Sequence, residues 1–330
     1  MNAAERGLRE GRAVGTEGAA SERSDDSGEA REPESLTSVA ESPAGDPEEL
    51  LEVAIELARE AGGLLLERFR SQGGGVVSTK SSPTDLVSEA DLSSERVILR
   101  RLAALRPGDS VLAEESGGTA GEMSRSSGQR RSLGEAGSGA AARLRWIVDP
   151  LDGTINFLFG IPQWCVSIAV DDGRGGTLAG VIYDPCREEL WSAVKEGPAL
   201  LNGVAIRGSG RRELSTALVA TGFAYDAEVR AAQAAVVARL LPRVRDVRRF
   251  GSAALDLAWT ACGRCDAYFE RSVKLWDIAA GALICRRAGL TVCELRSERG
   301  LPWGVLASAP PISEALRLLV GGQQSSSAAS

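Results

Sequence analysis

The segment from Arg145 to Asn156 constrains this chain more than any other part of its sequence. Arg145–Val148 is a short, mainly apolar strand that ends at Asp149. Pro150 then excludes helix at the residue before it, and Gly153 permits a tight turn directly ahead of a helix start. In such a turn the carboxylates of Asp149 and Asp152, with the Leu151 carbonyl between them, can converge on one spot. All-oxygen ligand sets of this kind suit hard divalent cations, magnesium among them. The backbone N–H groups of Gly153 and Thr154, opening the helix, would cradle a phosphate. A lone Asp-Gly is an ordinary surface turn; Asp, Pro, Asp, Gly, Thr and Asn together are far more specific.

Composition narrows the chemistry further. Among 330 residues there is no histidine, which removes the commonest general base and transition-metal ligand and rules out Ser-His-Asp and Cys-His catalysis. With a net charge of −7 there is no basic excess of the kind a nucleic-acid binder shows, so no nucleic-acid partner is expected. A content of 43% hydrophobic and 25% charged residues fits a soluble globular protein with room for about two domains. The charge is uneven: residues 1–50 hold thirteen acidic residues against five arginines, and the remainder is nearly neutral. Residues 1–45, acidic and without an aromatic residue, read as a disordered tail. No secretory signal, basic transit peptide or membrane-spanning run is visible, so the expected compartment is the cytoplasm, with no membrane partner. Six cysteines are then expected to be reduced and buried. Cys262 and Cys265 sit in a stretch that reads as helical from Ala253 to Cys265, without a second pair to complete a zinc site.

Elsewhere the pattern is mixed. Asp46 as N-cap, Pro47 and Glu49 start a helix with a capping-box-like signature, ended by Gly73–Gly75. Val76–Thr79 and Leu86-Val87 read as extended, Ala90–Leu105 as helix, and Ser110–Ala113 as a buried strand delivering Glu114 and Glu115. Residues 117–143 read as a low-complexity surface insertion. Strands follow at Cys165–Val170, Leu178–Tyr183 and Leu190–Val194. From Leu214 extended and helical segments alternate: Leu218–Thr221, Ala227–Leu241, Val247–Phe250, Ala253–Ala261, Ala267–Glu270, Ile278–Ala288, Leu290–Glu294, Val305–Ala307 and Ser313–Val320. The expected organisation is an antiparallel-rich α+β half over residues 46–213, an α/β half over 214–321, and a short disordered tail over 322–330.

Four motifs, in order, then give a resemblance. Asp149–Asn156 matches DPxDGTxN, Trp276–Gly281 matches WDxAAG, and Glu114-Glu115-Ser116 matches an EES element. Lys80, Asp85, Val87 and Asp91 loosely match a K-x-x-x-D-x-V-x-x-x-D stretch. The chain thereby resembles the inositol monophosphatase family of lithium-sensitive, magnesium-dependent phosphatases. One departure is Pro198, in place of a glycine in the family's G-x-G-A-x-x-N-G stretch at Gly197–Gly203.

The resemblance implies a layered αβαβα sandwich, a homodimer, and two or three Mg²⁺ ions held by Glu114, Asp149, the Leu151 carbonyl, Asp152 and Asp277. It implies that Glu114 and Thr154 orient the attacking water, with Asp91 supporting Thr154 or a weaker metal site. Substrate contacts map onto Asp152, Gly153, Thr154, Gly251, Ser252, Ala253 and Glu270. Lys274 and Leu275 fall where relatives vary and are expected to tune substrate choice. The substrate class implied is a small phosphate monoester such as inositol monophosphate. Histidinol phosphate or a 3′(2′),5′-bisphosphate nucleotide are alternatives, and a catalytically idle regulatory or scaffold protein is the alternative of another class.

Physics independent of the resemblance agrees: three aspartates and a glutamate at one phosphate would repel each other and the substrate unless cations were present. Taken singly, the acids have plainer readings. Asp277 reads as a helix-start charge, Glu114 and Glu115 as loop residues, Glu270 as a strand end, and Gly251-Ser252 as turn and N-cap.

Overall fold

In a computed structural model the described residues are 45–71, 76–79, 86–117, 144–298 and 300–321. The tails before Gly45 and after Gly321, most of the 117–143 insertion, Gly73–Gly75, Lys80 and Asp85 lie outside them. The first helix, α1 (Pro47–Arg70), starts as its sequence dictates: Asp46 Oδ1 accepts the Glu48 amide at 3.1 Å, and Pro47 stands in the first turn. A small antiparallel ribbon, β1 (Val76–Thr79) and β2 (Leu86–Ser88), leads into α2 (Glu89–Leu105). Ser88 caps α2, and Asp91 completes a reciprocal capping box.

Seven strands then form one sheet in sequential order: β3 (Ser110–Ala113), β4 (Arg145–Asp152), β5 (Cys165–Asp171), β6 (Thr177–Asp184), β7 (Glu189–Val194), β8 (Leu200–Leu201) and β9 (Val204–Ala205). Only the β3–β4 pair is parallel. The short helix α3 (Thr154–Leu158) interrupts the run after β4. The second half builds a mixed five-stranded sheet from β10 (Leu218–Thr221), β11 (Asp246–Arg248), β12 (Ala267–Arg271), β13 (Thr291–Leu295) and β14 (Gly304–Ser308), ordered β11-β10-β12-β14-β13. Its helices are α4 (Ala227–Leu240), α5 (Ala253–Ala261), α6 (Leu275–Arg287) and α7 (Pro310–Val320).

Three apolar cores hold five layers together, the middle one filling both faces of the α5–α6 layer. Helices α1 and α2 cover one face of the large sheet around Leu57, Trp146 and Trp164. Between the sheets lie α5 and α6, packed through Leu257, Ile284 and Tyr268. The outer face of the small sheet is closed by α4 and α7 around Leu240, Leu306 and Leu316. This is the αβαβα sandwich expected from the sequence.

The differences are local. β4 runs on to Asp152 rather than ending at Asp149, with a register shift against β5 between those two residues. α6 begins at Leu275 instead of Ile278, because Asp277 caps it from within its first turn. The β8–β9 hairpin was not anticipated, although Asn202 and Gly203 at positive φ form the kind of turn that joins two strands. The helix expected to reach Cys265 stops at Ala261, with Cys262 as its C-cap and Gly263 turning the chain at positive φ. All six thiols are free, but Cys186, Cys262 and Cys293 are only half-buried.

Candidate active site

The ends of β3 and β4, the starts of α3, α5 and α6, and the middle of β12 meet at a pocket of about 370 Å³. Its walls include Glu114, Asp149, Leu151, Asp152, Gly153, Thr154, Gly251, Ala253, Glu270 and Asp277, so residues scattered over the whole sequence converge as expected. Two expected residues stand behind the wall and touch it. Asp91 accepts the Thr154 hydroxyl at 2.8 Å, and Ser252 donates to Asp152 Oδ2 at 2.6 Å.

The local geometry follows from the sequence. Gly153 has φ +98°, and a Cβ there would stand 2.8 Å from the Gln163 carbonyl, so only glycine lets β4 turn into α3 at this point. Asp149 is 1% exposed and accepts the Leu151 amide at 3.1 Å. Thr154 Oγ1 lies between Asp91 Oδ1 and the Leu151 carbonyl, at 2.8 and 3.1 Å. Having one proton, that hydroxyl donates to one of them and keeps its lone pairs to receive a donor. Asp152 Oδ2 accepts both Ser252 Oγ and the Ala254 amide, at 2.6 and 2.7 Å, and so ties the β4 turn to the start of α5.

The plainer readings are partly met. Asp277 accepts the Lys274 amide at 2.7 Å and lines the pocket as well, and Ser252 caps α5 while binding Asp152. Glu270 does not end a strand: it lies within β12 opposite Val305, with its carboxyl held by the Tyr268 hydroxyl at 2.9 Å. Gly222 leaves the room for it, since any side chain there would overlap the Glu270 carboxylate.

Electrostatically the floor is strained. Burial, then Glu114, Asp152 and Asp277, push the Asp149 carboxyl well above the usual carboxylate range. Burial, then Glu114 and Asp152, do the same to Asp277. Asp152 is pushed up to about 6 by burial, with its bonds to Ser252 and Ala254 working against the shift. Glu270 rises to about 7, again through burial, opposed by Tyr268 and Arg249. Among the described residues no three such side chains are drawn tightly round one point as a bound ion would draw them. The donor set, four carboxyls and a carbonyl with no nitrogen or sulfur, is one that fits Mg²⁺.

Sequence reasoning missed several neighbours. Ser94 and Glu95 follow Asp91 at helical spacing, a visible signal. Asp256, buried on α5 with neither carboxyl oxygen hydrogen-bonded, offered none. Arg249 is a further missed neighbour, an exposed cation at the pocket wall, where Lys274, expected to tune substrate choice, supplies another.

The model of the inositol monophosphatase family matches residues 46–325. The chain belongs to the inositol monophosphatase family. It is 43% identical over 290 residues to the inositol-1-monophosphatase of Mycobacterium leprae, covering 83% of this chain and 94% of that protein. It is 36% identical over 270 residues to the Nus factor SuhB of Escherichia coli, covering 81% and 94%. Among solved structures, SuhB of Mycobacterium tuberculosis aligns with a TM-score of 0.66 and 38% identity over 83% of this chain and 96% of that one. The inositol monophosphatase of Anabaena aligns with a TM-score of 0.65 and 33% identity, covering 83% and 95%. Membership accounts for the order in which the pocket residues occur along the chain. Among the described residues, no helix is long and apolar enough to cross a membrane.

Proposed function

We propose that this member of the family is a Mg²⁺-dependent phosphomonoesterase acting on inositol monophosphate or a similar small polyol phosphate. The observation that carries it is one pocket lined by two chemically different sets of groups. Glu114, Asp149, Asp152, Asp277 and the Leu151 carbonyl form one set, and Gly251, Ala253 and Glu270 the other. The first set would hold two or three Mg²⁺ ions. The second offers backbone groups and a carboxyl that suit sugar-alcohol hydroxyls.

Bound Mg²⁺ would lower the pKa of the attacking water and neutralise charge on the leaving oxygen. The protein's own part is placement, which dominates phosphoryl transfer. Thr154, its proton committed to Asp91, accepts a hydrogen bond from the water, and Glu114 takes up the water's proton. The water oxygen bonds to phosphorus and the ester P–O bond breaks; the leaving oxygen takes a proton from solvent water, and Glu114 returns the one it holds to solvent. The amides of Gly153 and Thr154 receive phosphate oxygens.

Phosphate release measured with and without Mg²⁺ tests the proposal, with inositol 1-phosphate, histidinol phosphate, fructose 1,6-bisphosphate and 3′-phosphoadenosine 5′-phosphate compared by kcat/KM. The reading expects Mg²⁺-dependent turnover favouring the inositol ester. Preference for histidinol phosphate or the nucleotide would move the chain to those alternatives. The idle regulatory or scaffold alternative draws on the Nus factor name carried by relatives. It would gain from absent turnover together with a stable partner that depends on residues 1–45. A homodimer belongs to the same proposal: Phe159 and Ile161, 73% and 48% exposed after α3, suit burial against a second copy. Sedimentation of Phe159→Asp should then show monomer where the unaltered chain shows dimer.

A further inference from the structure

Helix α2 buries polar side chains on a face that a helix packed on a sheet ordinarily fills with apolar ones. Asp91, Ser94 and Glu95 fall at i, i+3 and i+4, hence on one face, and all three are buried; the next turns supply Ile98 and Leu102 to the apolar core. Buried polar groups require partners, and here the partners belong to the pocket. Asp91 Oδ1 accepts Thr154 Oγ1 at 2.8 Å, while its Oδ2 accepts the Ser88 amide at 2.9 Å and the Ser88 hydroxyl. Ser94 Oγ donates to the Pro150 carbonyl at 2.8 Å. Glu95 Oε2 accepts the Glu115 amide at 2.8 Å. One rigid element thus grips two of the segments that carry pocket acids, the β4 turn and the turn after β3.

The turn after β3 has the greater need of a grip. The Glu114 amide donates to the Val148 carbonyl at 3.2 Å, and the Gly117 amide closes the turn on Ala113 at 3.0 Å. Between those two bonds the Glu114 carboxyl meets Asp149, Asp152 and Asp277; its charge pushes all three carboxyls up, and it shares a hydrogen bond with Asp149. A carboxylate accepting a backbone N–H makes a short, charge-assisted bond, stronger than a neutral acceptor would make.

We propose that Glu95 is a positioning residue: by holding the Glu115 amide it keeps the Glu114 carboxyl beside Asp149 and Asp277, where a divalent cation can be shared. Glu95 touches neither substrate nor metal. The inference rests on the metal-dependent reading of the pocket, and it is tested on metal binding rather than on turnover alone.

Three variants of the full chain separate the possibilities: Glu95→Asp, which keeps the charge but withdraws it by one methylene, Glu95→Gln, which keeps an acceptor at full reach, and Glu95→Ala. Mn²⁺ binding followed by electron paramagnetic resonance, hydrogen exchange at the Glu115 amide, and kcat and KM at saturating Mg²⁺ are the readouts. Glu95→Asp and Glu95→Ala are expected to bind Mn²⁺ at least tenfold more weakly and to exchange the Glu115 amide at least tenfold faster. Their substrate KM should stay within twofold once metal saturates. Glu95→Gln should recover Mn²⁺ affinity to within about threefold. If Glu95→Ala does not fold, Glu95→Asp decides alone. Unaltered Mn²⁺ affinity in a folded Glu95→Asp, or equal losses in Glu95→Gln and Glu95→Asp, would overturn the proposal. An unaltered chain that binds Mn²⁺ in a Glu95-dependent manner yet hydrolyses no ester would leave Glu95 its role and remove the hydrolase reading instead.

Discussion

Helix α2 and the pocket floor both hold carboxyls out of water, and they do it in opposite ways. Asp91 on α2 accepts from Ser88 N, Ser88 Oγ and Thr154 Oγ1. Asp149 and Asp277 accept the backbone amides of Leu151 and Lys274, Asp149 also shares a hydrogen bond with Glu114, and both confront the charges of neighbouring acids. A satisfied buried carboxylate fixes geometry, whereas an unsatisfied one holds a place for a cation. The difference separates the residues that position the site from those proposed to bind metal.

The sharpest way to break this contrast is to neutralise one floor acid. Asp149→Asn or Asp277→Asn should reduce kcat about a hundredfold or more, since several kcal/mol of charge stabilisation goes with a metal ligand. The same change should raise the melting temperature of the chelated protein, because it removes a repelling charge. Calorimetry of both proteins in a chelator checks that second half, and a lower melting temperature would count against the strain.

Thr154→Ala should lower kcat about tenfold or more with KM little altered, while Thr154→Ser restores most of the activity, as the hydroxyl between Asp91 and Leu151 requires. Steady-state kinetics would show it.

A third effect appears in pH. Asp152, raised to about 6, and Glu270, raised to about 7, bind protons more tightly folded than unfolded. Chelated protein should therefore lose stability as pH rises from about 4 through 7, and added Mg²⁺ should flatten that slope. Urea unfolding at several pH values would measure it. The smallest change is expected at the outer wall: Lys274→Ala should shift kcat/KM between anionic substrates by a few fold, with kcat for the best substrate retained.

Much of the pocket was legible in the sequence because its acids sit in turns whose backbone demands are severe. Pro150 and Gly153 leave β4 little choice, and the acids at 149 and 152 follow from that turn. The layered fold was legible as well, since strands and helices alternate with clear turn residues. What stayed hidden depended on partners distant in sequence. Ser94 and Glu95 look like an ordinary polar helix face until Pro150 and Glu115 are placed against them. Glu270 was expected in the pocket, but the expected strand stopped at it; its continuation to Arg271 depends on the β14 partner, which cannot be read from neighbours along the chain. The continuation of β4 to Asp152 was missed for a related reason: its register shift against β5 depends on cross-strand pairing.

The central claim, that the floor is held in a repelling arrangement which a divalent cation relieves, can be met directly by thermal unfolding at pH 8 in chelator and again in excess Mg²⁺. The account predicts a rise in melting temperature of several degrees for the unaltered chain and little or none for Asp149→Asn combined with Asp277→Asn. Equal melting temperatures with and without Mg²⁺ in the unaltered chain, or an equal rise in the double variant, would contradict it.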